Sequence, residues 1–436
     1  MKIHYTQNTL MNWEIIMNKI YTVAIIGVGG RGGDAYGPLI AESKDRFKIV
    51  ALCDLREERL KRFGDLFGVS ENARFNTEEE FFKERRADLI LIATPDKCHV
   101  RHCLKAFELG YDVMTEKPLT DDKEECLALL AAQKKADAKA LVCHVLRYAP
   151  AFMKTAELLE SGEIGQLVAI DALERVSYAH QSHSYVRGNW RNLQVSAPMI
   201  LAKCCHDLDL LQWYANSPCK SISSVGELLY FKKENAPEGS TARCLDCPLC
   251  DSCVYSAKNH YLTAWKAQGC PEDRWPFNVM AQAPLTEEKI LSSLKEGDYG
   301  RCVYRCDNDV VDHQLTTMTF ENGVKATLTM TAFTAVGGRR YSFHGTLGEL
   351  VLDEASNTLT VHKFGQDAVN YPLSDLNEKG YGHGGGDAGL IDALYGMLSG
   401  TSAQKTSFAA SVESHLMGIC AEQSRVNGGE LIYIHK

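Results

Sequence analysis

The sequence predicts an α/β protein in two parts. A doubly wound parallel sheet comes first, and an α/β domain with a large, mostly antiparallel open sheet follows it. Three observations predict this. Strand-like and helix-like runs alternate up to about residue 145, as in a parallel sheet with crossover helices. Between the first strand and its helix, Gly27, Gly29 and Gly32 stand at the G-x-G-x-x-G spacing. Beyond Pro150 the strands lengthen and alternate, and Asn322-Gly323 between two of them is a hairpin signal.

Tyr21–Ile26 is apolar and β-branched, and Phe47–Asp54 is a second strand ending in an acid. Glu57–Phe67 has helical spacing. Asp88–Ala93 is a continuous apolar run, the pattern of a strand covered on both faces, and it ends at Thr94-Pro95. His99–Leu109 reads as a helix and Tyr111–Thr115 as a strand running into Glu116-Lys117-Pro118. Asp121–Ala136 is a helix opened by acids, which suits the positive end of its dipole, and Ala140–Cys143 is a last short strand. In the second half Gln166–Val176, Ser221–Phe231, Val311–Phe320 and Val324–Thr331 read as strands. Cys205–Tyr214, Asp387–Leu398 and Ser407–Asn427 read as helices, and 234–306 as an irregular insert rich in Cys, Pro and Trp. The expected division is an N-terminal extension 1–18, a first domain 19–146 and a second domain 147–436.

A chain of 436 residues exceeds one ordinary core. The net charge of −9 works against a nucleic-acid or anionic-membrane partner. No apolar run reaches the ~20 residues that span a bilayer. The first 18 residues mix polar and apolar types without a signal-peptide pattern, so a cytoplasmic location is expected. In that setting 16 cysteines point to reduced thiols or metal ligation rather than disulfides.

The glycine segment suits a dinucleotide. Gly27 permits the tight turn, Gly29 lets the backbone approach a pyrophosphate, and Gly32 lets helix and strand pack closely. Asp54 lies close to the ~20-residue spacing of a carboxylate that accepts from ribose hydroxyls. It would repel a 2′-phosphate, so NAD is favoured over NADP, with Arg56 nearby as the counter-indication. Oxidising a carbinol needs hydride transfer and a base for the hydroxyl proton. His206 is the candidate base. It shares a helical face with Asp209, Leu210 and Trp213. Lys117, at a strand end where α/β proteins bind ligands, is the second candidate, stabilising alkoxide charge and relaying its proton.

Taken in order, the Gly27/Gly29/Gly32 turn, Thr94-Pro95 with His99, Glu116-Lys117-Pro118, Arg147-Tyr148-Ala149-Pro150 and Cys205-His206-Asp207-Leu208-Asp209 resemble the Gfo/Idh/MocA family. That family takes its name from glucose–fructose oxidoreductase and inositol dehydrogenase. His183–Trp190 and Gly382–Asp387 resemble its sugar- and inositol-directed branch. The resemblance implies a Rossmann domain, a C-terminal α/β domain, and reversible oxidation of a secondary alcohol of a sugar, inositol, polyol or glycoside by NAD or NADP. It implies homo-oligomers through the open sheet and, often, a cis Lys117–Pro118 bond. By the same resemblance Gly30, Arg31, Thr94, Pro95, His99, Glu116 and Lys117 join the cofactor site. Arg147, Tyr178, His183, Arg187, Trp190, Asp209 and His383 are substrate candidates. Inositol dehydrogenases usually carry an acid four residues before the histidine; here that position is Ala202, expected one helical turn from His206. Its loss opens two alternatives. One is NAD-assisted glycoside cleavage through a transient 3-keto sugar, using Tyr178, His180, His183 and Tyr185. The other is a non-enzymatic NAD-binding regulator.

Cys244, Cys247, Cys250 and Cys253 follow C-x2-C-x2-C-x2-C, with Cys302 and Cys306 later. The spacing suggests thiolate zinc, and lacks the terminal C-x3-C-P of an iron–sulfur run. The resemblance implies a structural zinc on Cys244, Cys247, Cys253 and Cys302 or Cys306, and packed free thiols are the other expectation.

Overall fold

The computed structural model describes residues 19–376, 382–401 and 406–435; the 1–18 extension lies outside them. Two units emerge from the packing, and they interleave in sequence. The first comprises Met1–Glu160, Leu208–Trp213 and Leu373–Leu416, the second Ser161–Asp207, Tyr214–Pro372 and Met417–Lys436.

The first unit is built on six parallel strands: β1 (Tyr21–Ile26), β2 (Phe47–Cys53), β3 (Arg74–Phe75), β4 (Leu89–Ile92), β5 (Asp112–Thr115) and β6 (Ala140–Val142). Their order is β3-β2-β1-β4-β5-β6, the doubly wound arrangement whose direction of winding reverses between β1 and β4. Leu89, Ile90, Leu91 and Ile92 are all fully buried, which explains their unbroken apolar run. Each such side chain contributes about 1.5–3 kcal/mol of burial. The helix Lys123–Ala136 begins at Asp122, whose side chain accepts the Glu125 N–H, and ends at Asp137 in the left-handed region (φ 49°).

A helix from the far end of the chain, Gly386–Ser399, completes this unit. The Tyr395 ring stands edge-on to Tyr21 and Phe47 at 6.0 and 5.8 Å. Tyr21 Oη and Lys139 Nζ both donate to the Leu398 carbonyl, at 2.8 and 2.6 Å. Arg46 pairs with Asp392 at 2.6 Å.

In the second unit nine strands form one sheet. They are β7 (Leu167–Arg175), β8 (Cys219–Glu227), β9 (His313–Phe320), β10 (Lys325–Thr331), β11 (Gly338–Gly345), β12 (Gly348–Asp353), β13 (Thr358–Lys363), β14 (Val369–Pro372) and β15 (Ile432–Tyr433). The order is β14-β13-β12-β11-β7-β10-β9-β8-β15. All pairs are antiparallel except β7 with β10. Asn322-Gly323 turns β9 into β10, with Gly323 at φ +92°. The strand expected over Ser221–Phe231 ends instead at Glu227. The Asp312 carboxylate captures the Leu229 and Tyr230 N–H groups at 3.1 and 2.7 Å and draws the backbone out of the ladder.

The insert has its own apolar packing. Tyr261, Trp265, Phe277, Ile290 and Leu294 are buried in one cluster with Cys244 and Cys250. Phe231, Tyr255, Val303 and Tyr304 form a second with Cys302.

Candidate functional site

The glycine turn leaves β1 at Gly27, whose φ of +88° is the left-handed region that glycine alone occupies freely. A Cβ there would stand 2.5 Å from the Ala93 carbonyl oxygen, and one on Gly32 would stand 2.1 Å from the Gly27 oxygen. Both positions therefore require glycine. A Cβ on Gly30 would meet nothing within 4 Å. The chain continues as a wide helical stretch, Gly30–Tyr36, into the helix Gly37–Glu42.

Asp54 follows the end of β2 beside this turn. Its carboxylate accepts from Val28 N at 2.9 Å and Arg56 N at 3.0 Å. Arg59 Nη1 stands 3.7 Å from it, while the Arg56 side chain is exposed. The cation beside Asp54 is thus Arg59, three residues beyond the one singled out in the sequence.

Behind the ends of β4 and β5, His99 is fully buried. One ring nitrogen lies 2.6 Å from the Pro118 carbonyl and the other 2.8 Å from that of Thr94. It braces the Thr94-Pro95 segment against the Lys117-Pro118 segment. The Lys117–Pro118 bond is cis.

A buried charge cluster joins Arg31, Tyr36, Glu116 and Asp387. Arg31 Nε donates to Glu116 Oε1 at 2.9 Å, and Nη2 and Nη1 donate to the two Asp387 oxygens at 2.8 and 3.3 Å. Arg31 also donates to the Tyr36 hydroxyl, which donates to Glu116 Oε1 at 2.8 Å. Glu116 Oε2 accepts the Lys117 backbone N–H at 3.1 Å. Burial opposes the charge on Glu116, but Arg31 and Lys117 outweigh it and hold its pKa below the ordinary carboxylate value. Asp387 follows the same logic: burial is overcome by hydrogen bonds from His383 and Arg31, and its pKa falls far below normal. His383 Nδ1 lies 3.2 Å from Asp387, so this substrate candidate is engaged with a carboxylate of its own helix start.

Two more substrate candidates also engage each other. Arg147 and Asp209 form a buried bidentate pair, with His144 Nδ1 at 3.9 Å from the same carboxylate. Asp209 lies on the helix Cys205–Ala215, which also carries buried His206. The expected continuous turn from Ala202 to His206 is interrupted. A short helix, Met199–Ala202, ends before Lys203-Cys204, and the next begins at Cys205. Lys203 Nζ instead lies 3.3 Å from Glu174 on β7. Glu174 also pairs with Arg339 at 2.8 Å, and Arg339 with Asp207 at 2.8 Å. Asp207 accepts from the Tyr341 hydroxyl at 2.6 Å. Sequence reading missed this network because its members come from three distant segments.

His183 is buried, 3.0 Å from the Tyr261 hydroxyl and stacked on Tyr299 at 4.9 Å. Burial and the nearby Arg187 push its pKa down to about 3. Tyr178 stands edge-on to Tyr255 and His260, and half-buried Trp190 lies near Tyr185 at 6.3 Å. Arg187 is fully buried, donating to the Arg301 and Tyr255 carbonyls at 2.8 and 2.7 Å and to Cys244 Sγ at 3.7 Å.

The zinc expectation is not met by this arrangement. Among the described residues, no group of three or more His, Cys, Asp or Glu side chains is placed to hold a metal ion. Cys244 and Cys302 are buried in different apolar clusters, and Arg187 donates to Cys244 Sγ. Cys244, Cys247, Cys253 and Cys302 do not fit a zinc site, and no disulfide joins them. No helix among the described residues is long and apolar enough to cross a membrane.

Two family profiles match nearly end to end. The one described as an oxidoreductase family, NAD-binding Rossmann fold, matches residues 21–144, and its C-terminal α/β domain matches 156–428. The chain belongs to the Gfo/Idh/MocA oxidoreductase family. It is similar to the YteT protein of Bacillus subtilis, named as an oxidoreductase. The two are 23% identical over 376 residues, which span 82% of this chain and 84% of that one. It is also similar to inositol 2-dehydrogenase of Corynebacterium glutamicum, 26% identical over 211 residues, 47% of this chain and 57% of that protein. Its fold matches the WlbA dehydrogenase of Bordetella pertussis, solved with NADH and UDP-GlcNAcA. The TM-score is 0.66 at 16% identity, covering 96% of this chain and 98% of that one.

As a Gfo/Idh/MocA oxidoreductase, the chain has an NAD-binding Rossmann fold. Its residues suit the dinucleotide: glycine is obligatory at Gly27 and Gly32, the backbone is open above Gly30, and a carboxylate stands at the end of β2.

Proposed function

We propose that this oxidoreductase interconverts a secondary alcohol and a ketone on a sugar, inositol, related polyol or glycoside, with NAD in preference to NADP. The observation that carries the reading is Lys117 at the C-terminal end of β5, next to buried Glu116 and beside the glycine turn. Nicotinamide, when bound, supplies the hydride acceptor. The chain supplies the rest. Gly27 and Gly32 shape the turn, Gly29 and Gly30 offer backbone N–H groups to the phosphates, and Asp54 accepts from the ribose hydroxyls. Glu116 and Thr94-Pro95 border the nicotinamide end. Lys117 holds negative charge on the substrate oxygen, and His206 takes the hydroxyl proton.

Glycoside cleavage gains no support from the second group of bases. His183 is neutral by burial and engaged with Tyr261, so it is a poor proton donor at neutral pH. The open sheet face offers half-exposed Val225 and Leu315, cross-strand neighbours on β8 and β9, which supports a homo-oligomer through this sheet.

The test is a panel of sugars, polyols and aryl glycosides with NAD and NADP, following absorbance at 340 nm and aglycone release together. Net NADH is the expected result. Aglycone without net NADH would establish redox-assisted cleavage instead. NAD binding with neither signal would leave the regulator reading.

A further inference from the structure

Asp387, a member of the charge cluster at the glycine turn, has no part in the proposed chemistry. Asp387 opens the helix Gly386–Ser399, more than 350 residues from Arg31 in sequence. Both of its oxygens are spent on the Arg31 guanidinium, and its side chain is 5% exposed. Arg31 has one partner on each side: Asp387 on its Nη atoms and Glu116 on Nε. Glu116 in turn holds the backbone of Lys117 through its second oxygen. Four charged groups therefore alternate in sign along one chain: Asp387, Arg31, Glu116 and Lys117.

Two consequences follow from that alternation. Arg31 is neutralised by two buried carboxylates, so it has little net charge to offer a pyrophosphate, although it lies in the turn that would hold one. Glu116, with Arg31 clamped in place, cannot swing toward the Lys117 ammonium without abandoning its bonds to Arg31 and Tyr36.

We propose that Asp387 is a positioning residue for Lys117, acting through Arg31 and Glu116 to fix the strand-end lysine and set the charge around its amine. This rests on the reading of Lys117 as a participant in the proton chemistry. Glu116 is a cofactor-side group in that reading, and Asp387 is the far anchor that keeps it so. The titratable groups facing this cluster are Tyr36 and Arg31 from the glycine turn, Glu116 from β5, Cys143 and His144 beyond β6, and His383 before the C-terminal helix. Cys143 is buried and held as a thiol, and burial also keeps His144 from charging, so neither supplies the missing anion when Asp387 is removed.

The experiment reads the Lys117 amine directly in the full chain. Trace acetylation with acetic anhydride across pH 7–11, quantified on the Lys117 peptide by mass spectrometry, gives its titration midpoint without any substrate. Asp387→Asn removes a negative charge and should lower the midpoint. Arg31→Gln removes a positive charge and should raise it. Asp387→Glu should restore the wild-type midpoint. A midpoint unmoved in Asp387→Asn and Arg31→Gln, with wild-type melting, overturns the inference. If Asp387→Asn fails to fold, Arg31→Gln decides alone, because its shift has the opposite sign. The two ideas fail separately. Full turnover by Lys117→Ala sinks the reading of Lys117 whatever its titration. Inactive Lys117→Ala with unmoved midpoints sinks only the role of Asp387.

Discussion

Arg147 grips Asp209 with two of its guanidinium nitrogens, Nε at 2.5 Å and Nη2 at 2.8 Å, and spends a further bond of 3.0 Å on the Asp209 carbonyl. Only 4% and 1% of the two side chains is exposed. A pair this enclosed is satisfied internally, and it fixes the helix that carries His206. Asp209→Ala would leave the arginine buried beside no carboxylate, which typically costs about 3–5 kcal/mol. Urea unfolding should show that loss, and replacing both residues with apolar ones should recover much of it. A single-variant loss below about 1 kcal/mol would mean that the pair is open to solvent or substrate.

Cofactor choice should follow Asp54. Apo-protein titrations should give NAD at least ~10-fold tighter binding than NADP, which asks about 1.4 kcal/mol of one charge repulsion. Asp54→Ser should narrow the ratio, with Arg59 left to attract the 2′-phosphate. Equal affinities in the wild type would remove the carboxylate from the ribose site.

Lys117→Ala and His206→Ala should each lose about 10²–10⁴-fold in turnover on whichever alcohol the wild type oxidises. NAD affinity should change little, because neither residue belongs to the glycine turn. The His206 variant should also lose the acidic limb of the pH–rate profile. Near-full activity of His206→Ala places the base elsewhere, and a pH profile of Tyr178→Phe is the next measurement.

Acid should destabilise the protein through buried histidines. His415 Nε2 accepts the Leu119 N–H at 2.9 Å while Nδ1 donates to the Ser411 carbonyl at 2.6 Å, an arrangement that only the neutral ring satisfies. Burial and neighbouring His144 push its pKa down to about 3. The unfolded chain, with a histidine near 6.5, binds more protons between those values. Stability from this group is therefore complete above about pH 6.5 and falls as pH drops toward 3, by up to about 1.4 kcal/mol per pH unit. Denaturation midpoints for His415→Gln should fall less steeply than wild type between pH 6 and 4. Parallel curves would show that His415 titrates normally.

Local signals revealed most of the fold. The glycine turn, the apolar run at β4 and the Asn322-Gly323 hairpin each depend on a few adjacent residues, and each was legible. So were the positions of Asp54, Glu116 and Lys117, because strand ends place them. What stayed hidden depends on partners far away in sequence. Arg147 and Asp209, both substrate candidates by the resemblance, form a buried pair across 62 positions that no local pattern reveals. Lys203 meets Glu174 from the sheet, a pairing with no local signal. The cysteine spacing was real, but spacing does not say that Cys244 and Cys302 are buried in different apolar clusters.

The helix that carries Asp387 has a further consequence for how the protein is made. Strand β6 ends at Val142, but this helix begins at Gly386, about 240 residues later. At a synthesis rate of roughly 5–20 residues per second, the parallel sheet leaves the ribosome tens of seconds before its last helix. During that interval the Tyr21 and Phe47 rings lack their Tyr395 cover, and Arg31 lacks one of its two carboxylates. The nascent first unit is an unfinished sheet with an exposed aromatic flank. A chain halted before Gly386 is left with that flank, a surface for chaperones to cover and proteases to find.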